Sequence, residues 1–164
     1  MRDGKIRIGI MGLGQIGRQL YHLALEKNEI DIVAVADIGK PEIIEYLLKS
    51  DGFDEPSCHL QDNYLVSAKF RTRMLQLARP EEVPWDVLDV DCVVDATRRY
   101  RRRPDGERDV GAGARRVILA SLPSEPIDRI VIPGVNEGNA AGADRMISAG
   151  SATTNAFALL LQSV

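Results

Sequence analysis

The chain has 164 residues, 45% hydrophobic and 27% charged, with a formal net charge of -3. That length suits one domain able to bury about 70% of the surface it exposes when unfolded. No apolar run reaches the roughly 18 residues of a membrane span, so no membrane partner is expected, and the N-terminus has no apolar stretch or cleavage site of a secretory signal.

In chain order, strands alternate with helices. Lys5–Met11, carrying Ile6, Ile8 and Ile10, reads as a buried strand. Gln15–Lys27 places Ile16, Leu20, Leu23 and Ala24 at helical spacing, and Ile30–Ala36 is a β-branched second strand. Pro41–Lys49 predicts a helix with proline in its first turn. Asp51–Asp62 is polar and turn-rich and reads as a loop, which puts Cys58 and its neighbour His59 at the surface. Tyr64–Phe70 and Arg71–Leu77 alternate as two short strands, a hairpin or an excursion from the main sheet.

Asp91–Ala96 is a strongly apolar strand in which Cys92 reads as a core thiol. Arg98–Gly113 is a crossover whose helicity Pro104, Gly106, Gly111 and Gly113 weaken. Arg116–Ser121 and Arg129–Ile132 are further strands, and Pro133–Ala143 a glycine-rich loop. Arg145–Ser148 is a short last strand, followed by a helix over Ser151–Gln162. Near-continuous apolar strands separated by crossovers predict an α/β fold. It is a Rossmann-type, doubly wound, mostly parallel sheet with helices on both faces.

Two cysteines and two histidines occur without metal-ligand spacing, so no metal is expected. Free thiols without a disulfide pattern suit a reducing cytoplasm.

The chemistry concentrates in Gly12-Leu13-Gly14-Gln15-Ile16-Gly17. The run closes a strand and opens a helix, and Asp37 follows Gly17 by 20 residues at the end of the next strand. That context is what a dinucleotide-binding loop requires. Gly12 permits the tight turn, Gly14 the approach of a pyrophosphate, and Gly17 close helix packing. The pyrophosphate would meet the free N–H groups of Gly14, Gln15, Ile16 and Gly17 at the positive end of the helix dipole. Asp37 would accept from the adenosine ribose and repel a 2′-phosphate, so NAD is expected over NADP.

Read whole, the chain resembles glyceraldehyde-3-phosphate dehydrogenase. The resemblance is carried by Ile8–Arg18, by Ile32–Asp37 and by Pro84-Trp85 before Val93-Val94-Asp95-Ala96-Thr97. It continues through Gly113–Ile118, Gly134-Val135-Asn136 and Ser151-Ala152-Thr153-Thr154-Asn155, in the family's order. It spans nearly this whole chain but only the N-terminal half of the family's. It implies the fold above, NAD as cofactor, Thr97 among the cofactor contacts, and residues 1–150 as the NAD-binding domain. Residues 151–164 are then an apolar helix that opens a catalytic domain not contained here.

The resemblance also implies a nucleophilic cysteine where this chain has Ala152, and a methyl group attacks nothing. The histidine that activates that cysteine is expected beyond Val164. Catalytic residues are therefore expected to be absent, and thiol-dependent aldehyde oxidation with them. Met11 and Gln15 replace an asparagine and an arginine of the family's opening, and Arg98 stands where a glycine usually follows the threonine.

Arg98-Arg99-Tyr100-Arg101-Arg102-Arg103 holds five arginines in six residues. It admits three readings: a solvated crossover neutralised by Asp105, Glu107 and Asp109; a contact to a cofactor phosphate; or a nucleic-acid patch with Tyr100 as a stacking platform. The last leaves open a non-catalytic module that senses NAD or binds RNA or protein through this face. The helix after Ser151, apolar on every side, needs partners on every side. A homo-oligomer, or a helix folded back over the sheet, would supply them.

Overall fold

The computed structural model describes residues 4–51, 58–139 and 142–162. Among these residues nine strands form one sheet: β1 (Ile6–Met11), β2 (Ile30–Asp37), β3 (His59–Gln61), β4 (Tyr64–Val66), β5 (Arg71–Gln76), β6 (Cys92–Asp95), β7 (Arg116–Leu119), β8 (Arg129–Ile130) and β9 (Met146–Ser148). Their order across the sheet is β3-β4-β5-β2-β1-β6-β7-β9-β8. All pairings are parallel except β3 with β4 and β4 with β5. The helices are α1 (Gln15–Glu26), α2 (Pro41–Ser50), α3 (Arg103–Gly111) and α4 (Ala152–Gln162).

The strands' alternation divides the core in two. Ile8, Ile10, Ile32, Val35 and Val94 face one side, where they meet Tyr21 and Ala24 of α1 and Ile44 and Leu48 of α2. Met11, Ala34, Ala36, Val93, Val117 and Leu119 face the other, packing on Val83, Trp85, Val90 and Ala114, with Val110 of α3 against them. Each buried aliphatic side chain contributes about 1.5–3 kcal/mol, so both faces of the central strands must be covered. This is the doubly wound Rossmann-type fold that the strand pattern predicts.

The corrections lie where tertiary contacts set the outcome. Of the expected loop over Asp51–Asp62, residues 52–57 lie outside the described residues, and His59–Gln61 is β3. Cys58 is not at the surface. It is 2% exposed in the first core cluster, against the Tyr21 phenol, because the β3–β4 hairpin folds its thiol under the sheet edge. The strand expected over Tyr64–Phe70 stops at Val66, because Ser67 turns the chain: its N–H and hydroxyl both donate to the Phe70 carbonyl.

The crossover after β6 does contain a helix. Pro104 sits in the first turn of α3, where a missing N–H costs nothing, and Gly106 lets the helix lie against Met146. Asp105 accepts from the Arg102 backbone N–H at 3.1 Å in a reciprocal cap. The fold-back of the last helix does not occur: α4 has no buried residue. Among the described residues no helix is long and apolar enough to cross a membrane.

Candidate dinucleotide-binding site

The strand order reverses between β1 and β6, and ligands of open α/β sheets bind beyond the carboxyl ends of strands at such a point. A cleft of about 260 Å3 opens there. Its walls are Met11, Gly12 and Gly14 at the end of β1 and beyond it, Ala36, Asp37 and Ile38 at the end of β2 and beyond it, Leu77 and Ala78 after β5, and Ala96, Thr97, Arg99 and Tyr100 after β6.

The glycine loop is held from three directions. Gly12 takes φ +86°, and a β-carbon there would press on Thr97 at 2.9 Å. Gly17 is buried, and a β-carbon on it would overlap the Gly12 carbonyl oxygen, so only glycine lets α1 start this close to β1. Arg18 donates to the Leu13 carbonyl at 3.3 Å while its guanidinium pairs with Asp51 at 2.7 and 3.0 Å. That pairing raises the Arg18 pKa and lowers that of Asp51.

Gly14 caps α1 without a side-chain hydrogen bond, no acidic residue lies in the first turn, and nothing among the described residues comes within 4 Å of where its β-carbon would be. The first-turn N–H groups of a helix have no intrahelical acceptor. The positive end of α1 therefore faces open space with no carboxylate of its own competing for it. That is a cradle for a phosphate and fits a dinucleotide.

Asp37 binds the loop as well as facing the cleft. Its Oδ2 accepts the Leu13 N–H at 2.6 Å and its Oδ1 accepts the Gly39 N–H at 2.7 Å. A carboxylate offers about four lone-pair directions, so capacity for ribose hydroxyls remains. Across the cleft, Thr97 is fixed by Asp95, whose Oδ1 accepts the Thr97 N–H at 2.8 Å and hydroxyl at 2.6 Å. Asp95 is buried, and burial pushes its carboxyl up to about 6 despite those bonds. The Tyr100 hydroxyl donates to the Ala78 carbonyl at 2.7 Å and ties the β6 and β5 walls together.

Of the residues singled out from sequence, Gly12, Gly14, Asp37 and Thr97 line one cleft. Gln15 and Ile16 are exposed in the first turn of α1 beside it, and Gly17 is buried beneath. Ala152 is exposed at the first position of α4, which Ser151 caps by accepting the Thr154 N–H at 3.1 Å. Sequence reasoning missed Ile38, Leu77 and Ala78 as walls, although each directly follows a parallel strand on the ligand side.

The arginine cluster divides. Arg101 donates to the Leu122 carbonyl, Arg102 pairs with Asp105 and Arg103 with Asp128. Of the three acids expected to neutralise the cluster, Asp109 does not: it is fully buried and bonded to Trp85. Arg98 and Arg99 are exposed and make no ion pair among the described residues.

Residues 6–103 match the family described as Glyceraldehyde 3-phosphate dehydrogenase, NAD binding domain. A glyceraldehyde-3-phosphate dehydrogenase of Streptomyces coelicolor is 34% identical over 159 residues, 93% of this chain and 47% of the relative. The enzymes of that name from Buchnera aphidicola and Mycoplasma pneumoniae are 32% and 33% identical over 158 and 156 residues. These alignments cover 94% and 93% of this chain and 47% and 46% of the relatives, so the chain spans about half the length of the curated relatives it matches. With the glycine loop, the acid closing β2 and the crevice at the strand reversal all in place, the chain belongs to the NAD-binding domain family of glyceraldehyde 3-phosphate dehydrogenase.

Proposed function

We propose that residues 1–150 hold NAD for a glyceraldehyde-3-phosphate dehydrogenase-like oxidoreductase, and that residues 151–164 open its next structural unit. The observation that carries this reading is the open, uncapped end of α1 at Gly14, set beside Asp37 in one cleft. Gly12 and Gly14 let the diphosphate approach, and the first-turn N–H groups of Gln15, Ile16 and Gly17 bind it. Asp37 accepts from the adenosine ribose, and Thr97 closes the opposite wall. When bound, NAD supplies a hydride acceptor. This chain's residues supply its placement.

Catalysis of thiol-dependent aldehyde oxidation by this chain alone is not part of the proposal, because Ala152 stands where the family resemblance puts the nucleophile. The two buried cysteines form no disulfide among the described residues, which suits a cytoplasmic, reducing compartment. The exposed apolar face of α4 supports a homo-oligomer. Titration calorimetry with NAD and NADP tests the cofactor assignment. NAD should bind more tightly, because the Asp37 charge opposes a 2′-phosphate, and equal or tighter NADP binding would overturn the role given to Asp37.

A further inference from the structure

Arg98 holds φ +61°, a left-handed conformation that glycine adopts freely and a residue with a β-carbon adopts at a cost. Such a conformation persists only where its surroundings impose it, and it recurs at ligand sites. The surroundings here are specific. Asp95 pins both the N–H and the hydroxyl of Thr97, and Thr97 abuts Gly12. The chain must therefore turn sharply at Arg98 as it leaves the glycine loop. The Arg99 N–H then donates to the Thr97 hydroxyl oxygen at 3.1 Å, and Arg99 becomes part of the cleft wall.

Charge gives the turn a purpose. The dinucleotide's diphosphate carries two negative charges, yet the basic side chain in the first turn of α1, Arg18, is paired with Asp51. Asp37 is an anion in the same cleft, and Arg99 is the one lining cation among the described residues. Arg101, Arg102 and Arg103 are committed to Leu122, Asp105 and Asp128, whereas Arg98 and Arg99 are exposed and free of ion pairs among the described residues. The Arg99 guanidinium lies over the Tyr100 ring, 6.0 Å from its centroid, a contact that leaves its N–H donors available.

We propose that Arg98 and Arg99 form a cationic rim opposite the N-terminus of α1 that binds the phosphates of the adenine dinucleotide, Arg99 by direct contact and Arg98 by adding its charge beside it. The proposal rests on the dinucleotide reading of the cleft. A guanidinium adds to the helix N–H groups a full positive charge and a fork of donors that can grip a phosphate bidentately.

The test uses the full chain, its Arg99→Gln and Arg98→Gly variants, and calorimetry with NAD, NADP, ADP-ribose and uncharged adenosine at two salt concentrations. Arg99→Gln should weaken NAD and ADP-ribose by about ten- to a hundredfold, the loss expected for a hydrogen bond to a charged group. Arg98→Gly should weaken them less while raising the melting temperature, because it removes both the charge and the strain. Both variants should flatten the salt dependence of NAD binding and leave adenosine unaffected.

Unchanged NAD and ADP-ribose affinity in both variants would overturn the rim, as would equal losses for adenosine, which mark damage to the cleft. A loss confined to NADP would move the cation to the 2′-phosphate and overturn the diphosphate assignment. Failure of the unaltered chain to bind NAD or ADP-ribose would instead overturn the underlying cofactor reading, and the rim with it.

Discussion

The Trp85 indole N–H donates to Asp109 Oδ1 at 2.9 Å, with both side chains fully buried on the face of the sheet that α3 covers. The second oxygen, Oδ2, has no hydrogen-bond partner among the described residues. Burial above all, aided by the charges of Asp95 and Glu81 and opposed by the Trp85 bond, pushes the Asp109 carboxyl up to about 7. The acid that joins α3 to the core therefore exchanges its proton near neutrality.

The pH dependence follows in sign. A carboxyl whose folded pKa exceeds its unfolded value near 3.8 holds its proton more tightly in the folded state. Its contribution is complete below about pH 4 and is lost as pH rises through about 7. Asp109→Asn keeps an acceptor for Trp85 and removes the titration. Relative to the unaltered chain, the variant should gain on the order of 2–3 kcal/mol between pH 5 and pH 8. Trp85 is the chain's one tryptophan, so its fluorescence in urea melts at the two pH values reads the difference. A gap that stays constant with pH would exclude a titrating Asp109.

Gly14 and Gly17 should part company when each is changed to alanine. At residue 17 the new β-carbon meets the Gly12 carbonyl oxygen, so loop and helix must separate. Stability should drop by about 1–3 kcal/mol, the usual cost of overpacking, and cofactor affinity should fall with it. At residue 14 the space is open and φ is -66°, so stability should change far less. Affinity should still drop, because the methyl group enters the phosphate cradle. Urea melts beside NAD titrations separate the two, and full NAD affinity in Gly14→Ala would place the phosphates elsewhere.

These contrasts show what the sequence discloses. The glycine loop, β1, α1, β2 and Asp37 were legible because their signals are local: spacing, periodicity, and an acid at a set distance from the loop. Cys58 was not, because its burial depends on a hairpin folding onto the sheet edge, and a polar run says nothing of that. Asp109 sits in a stretch of arginines and acids and looks like a solvated residue. Only its encounter with Trp85, 24 residues earlier, makes it a core group. Arg98 was legible as a departure from the family's glycine, but its left-handed turn emerges only once Asp95 and Gly12 fix Thr97 on either side.

Ala152 occupies the first position of a helix already capped by Ser151. A cysteine placed there would lie at the positive end of the α4 dipole. Its pKa should fall below the ordinary value of about 8.5, read as a lowered midpoint in the pH dependence of alkylation. With no general base assigned to receive its proton, Ala152→Cys should still yield little NADH from aldehyde, NAD and phosphate. NADH formation by the unaltered chain would refute its proposed inability to oxidise aldehydes.

The last expectation concerns α4. Phe157, Leu160 and Leu161 are 60%, 66% and 62% exposed, Leu159 is 45% exposed, and no residue of the helix is buried. Successive helix positions turn by about 100°, so Phe157, Leu160 and Leu161 share one face, which a single contact can cover, while Leu159 lies on the opposite side. Burying one such side chain is worth about 1.5–3 kcal/mol, so covering two or three on each copy offsets much of the roughly 4–15 kcal/mol that association costs. The expected partner is a second copy of this chain, with α4 at the contact. Sedimentation velocity across a hundredfold concentration range should show association of residues 1–164 and none for a chain ending at Gly150. Concentration-independent monomers for both would exclude self-association through α4, and equal association of both would move the interface elsewhere.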